Sequence, residues 1–296
     1  MSASNFLKLI SLAAIWGGSF LFMRVAAPVL GPVLLIQCRV ALAALFLVGL
    51  AVLGRKPLDL RTHWKHFLIL GLVNTAIPFV LFAWAAQVLP ASLESVLNAT
   101  APIWGAILGA FWTKTLPSPK TAIGLVLGIA GVAILVGFDA GGPTPPVLLA
   151  AGGALLAAGC YAVAALYTKT AKSVDAFSNA HGSMWAATLC LAPVTPFFPM
   201  HTVPGLWVAI SVLLLGILCS GVAYVLYFGL VTEIGASQTL SVTFLIPVFG
   251  ILWGNVLLHE PVTPQMVAGG LVVLVGTALI TGFNPASLLR RREAAA

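Results

Sequence analysis

Three polar residues stand four positions before a proline within long apolar stretches of the chain. A proline inside a helix has no N–H to donate to the carbonyl four residues earlier, so that carbonyl is left free. In hydrocarbon, a free carbonyl must face protein or a water-filled cavity. We therefore predict a polar cavity lining, the alternative being that the prolines only kink helices and the side chains bond to neighbouring helices. The pairs are Asn74 with Pro78, Asn98 with Pro102, and Thr243 with Pro247.

Aromatic residues inside apolar stretches are candidates for the apolar wall of the same cavity. Trp16 and Tyr161 lie well within their stretches, away from the interfacial positions where Trp and Tyr usually concentrate. A buried Trp or Tyr needs a partner for its polar atom, which suits a cavity, whereas filling a helix interface is the alternative. The aromatic candidates for contact with a small-molecule substrate are Trp16, Phe79, Trp104, Tyr161 and Tyr224.

Ionisable side chains are scarce in the apolar stretches. Arg24 and Arg39 are the basic residues inside them, and each could contact an anion or carboxylate, extend to the interface, or bond to a carbonyl. The acidic residues Glu94, Glu233 and Glu260 fall at the ends of stretches. We therefore expect no buried proton relay, although a proton could still use Glu94 or Glu260 at a cavity mouth.

The sequence carries no constellation typical of an enzyme, and we predict neither catalysis, nor a cofactor, nor a metal site. The triplet His259–Pro261 resembles part of a zinc-protease motif, but the second histidine is missing and the proline would break the required helix. Serine-triad, phosphate-loop and paired-carboxylate patterns are absent. The cysteines stand singly in apolar stretches, which favours packing thiols; they are Cys38, Cys160, Cys190 and Cys219.

The elements that must position these residues are membrane-spanning helices. Of the 296 residues, 60% are hydrophobic and only 7% are charged, against roughly 25% charged in soluble domains. A span needs about 20 mainly apolar residues, and the first run is expected to be retained as a span rather than cleaved as a signal peptide. The predicted spans are 6–27, 31–53, 66–89, 92–113, 119–137, 147–169, 177–199, 205–231, 236–257 and 263–283.

The positions of the basic residues predict the orientation. Apart from Arg24 and Arg39, every Lys and Arg falls in loops or at span ends that share one side with the N-terminus, while the loops on the other side hold Glu94, Asp139 and Glu260. By the positive-inside rule, both termini are cytoplasmic. The spread of basic residues over several loops also argues against nucleic-acid binding. The basic residues are Lys8, Arg55, Lys56, Arg61, Lys65, Lys114, Lys120, Lys169, Lys172, Arg290, Arg291 and Arg292.

An internal repeat joins the two halves of the chain, because residues 71–135 align without a gap with 216–280. Seven of the twelve main matches are Gly or Pro, which set backbone approach and helix shape. Each half holds five spans, so the second half enters the membrane from the opposite side. The matches are Gly71/Gly216, Val80/Val225, Leu81/Leu226, Ala91/Ala236, Ser92/Ser237, Pro102/Pro247, Gly105/Gly250, Gly109/Gly254, Pro119/Pro264, Gly124/Gly269, Gly131/Gly276 and Ala133/Ala278.

Inverted repeats are typical of secondary transporters, which bind substrate where the repeats meet and alternate access by rocking. We predict an all-α integral membrane protein of ten transmembrane helices, formed by two inverted five-helix repeats around a central cavity. The predicted boundaries are 1–140 for the first repeat, 147–285 for the second and 286–296 for a basic cytoplasmic tail.

The chain resembles the drug/metabolite transporter superfamily in its ten-helix EamA-type branch. The motifs that carry the likeness are Ile15–Phe20, Ala91-Ser92 with Ala101-Pro102, Gly235–Ser237 with Ile246-Pro247, and His259–Pro264. The resemblance implies a basket in which spans 1, 3, 4, 6, 8 and 9 line a cavity and spans 5 and 10 are peripheral. The first repeat departs from the pattern with Lys114-Thr115 where the second has His259-Glu260, which leaves the role of the acidic residue open.

The aromatic-rich, carboxylate-poor central spans look most like the YddG-type amino-acid exporters. This likeness implies export of neutral, especially aromatic, amino acids and related metabolites across the bacterial inner membrane. Two alternatives stay open: a transporter of the same fold with another drug or metabolite as cargo, and a membrane scaffold or enzyme. The expected partners are a small molecule and the lipid bilayer; oligomeric state and proton coupling are left open.

Overall fold

A computed structural model describes residues 2–55, 61–137, 144–171 and 174–283, and these residues are almost entirely helical. The predicted all-helical class is confirmed. Short 3₁₀ and π segments at Thr195–Phe197, Gly71–Ala76 and Leu214–Val222 complete the helical structure. The α-helices are α1 (Ala3–Leu30), α2 (Pro32–Leu53), α3 (Trp64–Leu70), α4 (Ile77–Ala85), α5 (Ala91–Asn98), α6 (Ala101–Thr113), α7 (Pro119–Gly137), α8 (Pro145–Thr170), α9 (Ala176–Leu191), α10 (Leu206–Leu213), α11 (Ala223–Ile234), α12 (Ala236–Thr239), α13 (Val242–Leu258) and α14 (Pro264–Thr281).

Each of the ten predicted spans coincides with a helical segment in the described part of the chain. Within the described ranges, eight segments are long and apolar enough to cross a membrane, some of them formed by two consecutive helices. The other two are shorter: α13 has 17 residues and α9 has 16. The eight are Ser4–Leu30, Pro32–Leu53, Trp64–Ala85, Ala91–Thr113, Pro119–Gly137, Pro145–Thr170, Leu206–Ile234 and Pro264–Thr281.

The interrupted helices occupy equivalent places in the two repeats. A π segment precedes α4 in the first repeat and α11 in the second. The spans that carry Pro102 and Pro247 also break, between α5 and α6 and between α12 and α13. The sequence predicts a kink at Pro102, whereas the chain leaves the helix at Ala99-Thr100 and Pro102 is the second residue of α6. Pro247 stays inside α13.

Glycines lie where helices of the first repeat pack closely against helices of the second. A methyl group on Gly124 of α7 would collide with the carbonyl of Gly276 in α14, and one on Gly276 would collide with the carbonyl of Gly124. In the same way Gly71 packs on the α9 backbone and Gly216 on the α2 backbone. Close packing of small residues holds helices together in lipid. Such reciprocal contacts are what two inverted repeats produce around their shared axis.

Some sequence predictions fall on residues outside the described ranges. These are the basic tail at 286–296 with Arg290, Arg291 and Arg292, and the loop residues Lys56, Asp139 and Lys172.

Candidate functional site: a central cavity between the repeats

A cavity of about 660 Å³ lies in the middle of the bundle. Residues of both repeats form its walls, from α1, α2, α4, α8, α11, α13 and the break between α5 and α6. The volume falls within the range of small-molecule sites, about 300–1,000 Å³. The cavity reaches the bundle end formed by Gln238, Thr281 and Phe283, which we call the open end.

The cavity brings together seven of the eight side chains that the sequence predicts for substrate binding. The exception is Trp104, whose ring lies beside Gly159 and packs α6 on α8. Among the predicted prolines, Pro102 lines the cavity, whereas Pro78 and Pro247 do not. Substrate contact itself stays a prediction for all of them. The seven are Trp16, Asn74, Phe79, Asn98, Tyr161, Tyr224 and Thr243.

The aromatic wall is built around Trp16. Its ring meets Tyr224 edge to face at a centroid distance of 6.3 Å and Tyr227 at 5.5 Å. Gly17 permits this placement because its missing side chain lets α1 approach α13 at Phe249. Trp16 therefore faces the cavity on a helix whose position is fixed by backbone contact.

Further lining residues escaped the sequence prediction although helical spacing gave a signal for them. Ser19 and Phe20 lie three and four positions after Trp16, and Tyr227 lies three after Tyr224. Residues three or four apart share one face of a helix. A helical wheel drawn through the predicted aromatics would have found all three, whereas no local pattern marks Gln238, Phe244 or Phe283 at the open end.

The polar lining depends on the irregular backbone. Asn74 lies in the π segment Gly71–Ala76, and Asn98 is the last residue of α5 before the break. π segments occur frequently at functional sites. At the break, the buried Thr277 hydroxyl of α14 donates to the carbonyl of Ala99 at 3.1 Å. That bond satisfies a backbone group that the interrupted helix would otherwise leave unpaired.

Arg39 supplies the charge in the cavity lining. Its side chain is 4% exposed, and its Nε donates to the Ser220 hydroxyl at 2.8 Å. Its Nη1 lies 3.7 Å from Met23 Sδ, and its Cζ lies 3.8 Å from the centre of the Phe79 ring. Arg39 therefore follows neither of two alternatives from the sequence: its side chain does not extend to the interface, and its partners in the structure are not carbonyl groups. Arg24 does follow one of them, since its Nη1 donates to the Ala86 carbonyl at 2.8 Å.

Glu94 lies deeper than the sequence indicates. The expectation of a loop position is wrong: Glu94 belongs to the first turn of α5 and is 0% exposed. Within the described residues, neither carboxylate oxygen has a hydrogen-bond partner. Arg24 and Glu260 are the ionisable neighbours that act on its charge. Hydropathy placed this residue at the end of a span but could not show that its side chain turns inward.

Glu260 closes the bundle end opposite the open end. One of its oxygens accepts the Ala91 N–H at 2.8 Å, and the other accepts the Ser92 N–H at 3.1 Å and the Ser92 hydroxyl at 2.7 Å. These bonds cap the start of α5, where the helix dipole favours an anion. Beside them, methyl groups on Gly250 and Gly254 would collide with Ser95 and Glu260. We call this region, formed by Ala91, Ser92, Ser95, Gly250, Gly254 and Glu260, the closed end.

Among the residues that the structure describes, the equivalent contacts are not formed at the open end. Thr115, the counterpart of Glu260, pairs with the Thr113 hydroxyl of its own segment at 2.6 Å. A methyl group on Gly105 or Gly109, the counterparts of Gly250 and Gly254, would meet no described atom within 4 Å. The two repeats thus share a fold but differ in how their helices pack at the two ends of the cavity.

The sequence profile of the EamA-like transporter family matches residues 5–137 and matches again at residues 148–282. The chain belongs to the EamA-like transporter family. The two matches to one EamA-like profile agree with a chain built from two copies of one unit. The described residues contain no group of three or more His, Cys, Asp or Glu side chains that could hold a metal ion.

Several relatives resemble this EamA-like chain over nearly its whole length. An uncharacterized transporter of Bacillus subtilis, YvbV, is 28% identical, covering 93% of this chain and 90% of its own. A probable terminal-alkyne amino-acid exporter of Streptantibioticus cattleyicolor is 26% identical, covering 94% and 93%. One crystal structure matches 99% of this chain and 100% of its own with a TM-score of 0.65 and 21% identity, which shows the likeness of fold alone.

Proposed function

We propose that this transporter exports neutral amino acids, aromatic ones in particular, and related metabolites across the bacterial inner membrane. The observation that carries the proposal is the cavity lining, where aromatic rings surround uncharged polar side chains. Aromatic walls suit an aromatic ring, and Asn74, Asn98 and Thr243 offer donors and acceptors to a zwitterion. The exporter from S. cattleyicolor, by its name an amino-acid exporter, supports the same cargo class.

The proposed orientation determines which side of the membrane the open end faces, and the cargo gradient determines the direction of net transport. With both termini in the cytoplasm, the open end faces the cytoplasm and the closed end faces outward. Lys8, which pairs with Glu233 at 2.7 Å, would lie on this cytoplasmic side. Cargo would enter from the cytoplasm, and rocking of the repeats at 1–140 and 147–285 would then open the far side. Because no Asp or Glu lines the described cavity, we propose transport down the cargo gradient, without protons.

A different drug or metabolite is the alternative cargo for the same cavity. The cationic guanidinium of Arg39 in the lining disfavours a cationic drug. A scaffold or enzyme finds little support, because the family is one of transporters and relatives such as YvbV are named transporters.

Counterflow in proteoliposomes tests the proposal without assuming an energy source. Vesicles loaded with unlabelled phenylalanine should take up labelled phenylalanine transiently, and excess external tryptophan should abolish the uptake. A pH gradient should leave the uptake unchanged. Vesicles that contain unlabelled phenylalanine but no protein serve as the control. Uptake equal to that control for every amino acid, from protein shown to be folded, contradicts the amino-acid cargo.

Export in cells is tested separately. Cells fed a phenylalanine-containing dipeptide should release more free phenylalanine when they produce the transporter than when they produce none. Equal release, combined with positive counterflow, would leave the cargo in place and contradict the direction.

A further inference from the structure

Arg39 lines the cavity, and no described lining residue is a counter-ion to it. The described lining residues contain no Asp or Glu, and Arg39 is the charged residue among them. The ionisable groups that act on its charge are Cys219, Tyr161 and Tyr224. Thiols and phenols carry no charge at neutral pH. The positive charge is therefore balanced by nothing that the described protein supplies near it.

The hydrogen bonds of Arg39 are also incomplete. A guanidinium has five N–H donors, and two of its nitrogens have partners in the structure, the Ser220 hydroxyl and the weakly accepting sulfur of Met23. Phe79 covers the flat face of the group, with its ring centre 3.8 Å from Cζ. These three contacts fix the plane of the guanidinium, and its remaining N–H groups have no hydrogen-bond partner among the described residues.

Burying the Arg39 guanidinium without an anion costs free energy. Arginine stays protonated in proteins, and an unpaired charge inside a membrane protein costs several kcal/mol. Arg39 lies in the first half of α2 and is almost fully buried, so its charge does not reach the interface. An anionic group within the cavity would supply the missing charge and the missing acceptors together.

We propose that Arg39 binds the carboxylate of the cargo, so that the transported compounds are small organic acids with an aromatic or apolar body, zwitterionic amino acids included. A carboxylate matches the two-pronged donor geometry of a guanidinium. The body of the cargo would then lie along Trp16 and Tyr224. The inference rests on the proposed function for its use of this cavity, but it does not require an amino group on the cargo.

Ligand-dependent thermal stabilisation of the purified protein tests this inference in matched pairs. The probes are L-phenylalanine against L-phenylalaninamide, and 3-phenylpropionate against 3-phenylpropionamide. In each pair, the amide keeps the ring and loses the carboxylate. The acid should bind roughly ten- to hundredfold more tightly, the usual range for a hydrogen bond to a charged group. The wild-type protein is sufficient for this test. The inference is overturned if an amide binds as well as its acid, or if no acid stabilises the protein.

Variants then assign the preference to one side chain. Arg39→Gln should abolish the difference between acid and amide, and Arg39→Lys should keep only part of it because a lysine cannot form the two-pronged contact. Arg24→Gln is the matched control, since Arg24 lies outside the cavity lining and should keep the full preference. A folded Arg39→Gln protein with the wild-type preference contradicts the inference. If that variant does not fold, an unchanged preference in Arg39→Lys contradicts it instead.

The two acids separate this inference from the proposed function. If 3-phenylpropionate is preferred over its amide while phenylalanine does not bind, Arg39 binds carboxylates and the amino-acid cargo is wrong. Inorganic phosphate and chloride are included as further probes. Stabilisation by either of them to the same extent as by the acids would show a general anion site and overturn the assignment to carboxylates.

Discussion

The carboxylate of Glu260 is bound by the first turn of α5 through Ser92, whose N–H and hydroxyl donate to the same oxygen at 3.1 and 2.7 Å. The contact joins two elements far apart in sequence, the loop after α13 and the helix that leads into the cavity. It also satisfies N–H groups that any helix start leaves without partners. Closure at this end is thus maintained by charge-assisted hydrogen bonds as well as by packing.

We predict that Glu260→Gln opens the closed end more often. The amide keeps one acceptor but loses the charge that interacts with the helix start, a loss of about 1.5–3 kcal/mol. Spin labels at the exposed positions Val88 and Val262 should show a longer-distance population that increases roughly ten- to hundredfold. Glu233→Gln, at the open end, is the matched control. An unchanged distance distribution in Glu260→Gln would show that packing alone maintains the closure.

The paired glycines predict unequal effects of the same substitution. The methyl group of Gly254→Ala would collide with the Glu260 carboxylate, which its bonds to Ala91 and Ser92 hold in place. Displacing the carboxylate breaks those bonds, so the variant should be destabilised by about 1–3 kcal/mol. Gly109→Ala, its counterpart, meets open space and should leave the melting temperature unchanged. Because the repeats exchange roles in the other access state, Gly109→Ala should still slow counterflow. Equal melting temperatures for the two variants would contradict the asymmetry between the gates.

We predict that replacing Trp16 lowers the affinity for an aromatic cargo, whereas replacing a tryptophan outside the cavity does not. Trp16→Ala removes a ring from the cavity wall and should weaken binding of an aromatic cargo about tenfold or more, since a buried aromatic contributes about 2 kcal/mol. Trp207→Ala is the matched control, because Trp207 is 77% exposed on the bundle surface. The measurement is half-saturation of counterflow, with melting temperatures recorded for both. Similar affinities in the two variants would remove Trp16 from the site.

Cargo binding should depend little on pH. The described cavity lining contains no Asp, Glu or His, the side chains that usually change charge between pH 4 and 8. The affinity for a zwitterionic amino acid should therefore change less than about twofold between pH 6 and pH 8. Thermal-shift titrations at the two pH values provide the measurement. A larger change that disappears in Glu94→Gln would assign it to the buried carboxyl of α5.

The sequence predicted the fold well because the fold depends on features that are local. Ten apolar runs define the helical segments, and matched glycines such as Gly124 and Gly269 define the repeat. These glycines prove to be where α7 and α14 contact each other's backbone. A glycine that recurs in both repeats therefore indicates a close helix contact even when the partner helix is not known.

The details of the site were harder to predict because they depend on which face of a helix turns inward. Trp104 is as apolar and as central as Trp16, yet it packs on α8. Glu94 stands at the end of a span by hydropathy and is still buried. Arg39 was recognised as unusual, but its partners Ser220 and Met23 come from distant elements. Such contacts follow from the arrangement of helices and leave no periodic trace in the sequence.

Glu260 has no carboxylate counterpart in the first repeat, and this difference affects the relative free energies of the two access states proposed above. Two identical halves would occupy both access states equally, so that neither face of the membrane would be preferred at rest. Glu260 has Thr115 as its counterpart, and Thr115 bonds within its own segment instead. Each difference of about 1.4 kcal/mol between the gates shifts the ratio of the two states tenfold. Under the proposed rocking mechanism, Glu260 therefore adds to the packing at Gly250 and Gly254 in favouring the state that is closed at this end.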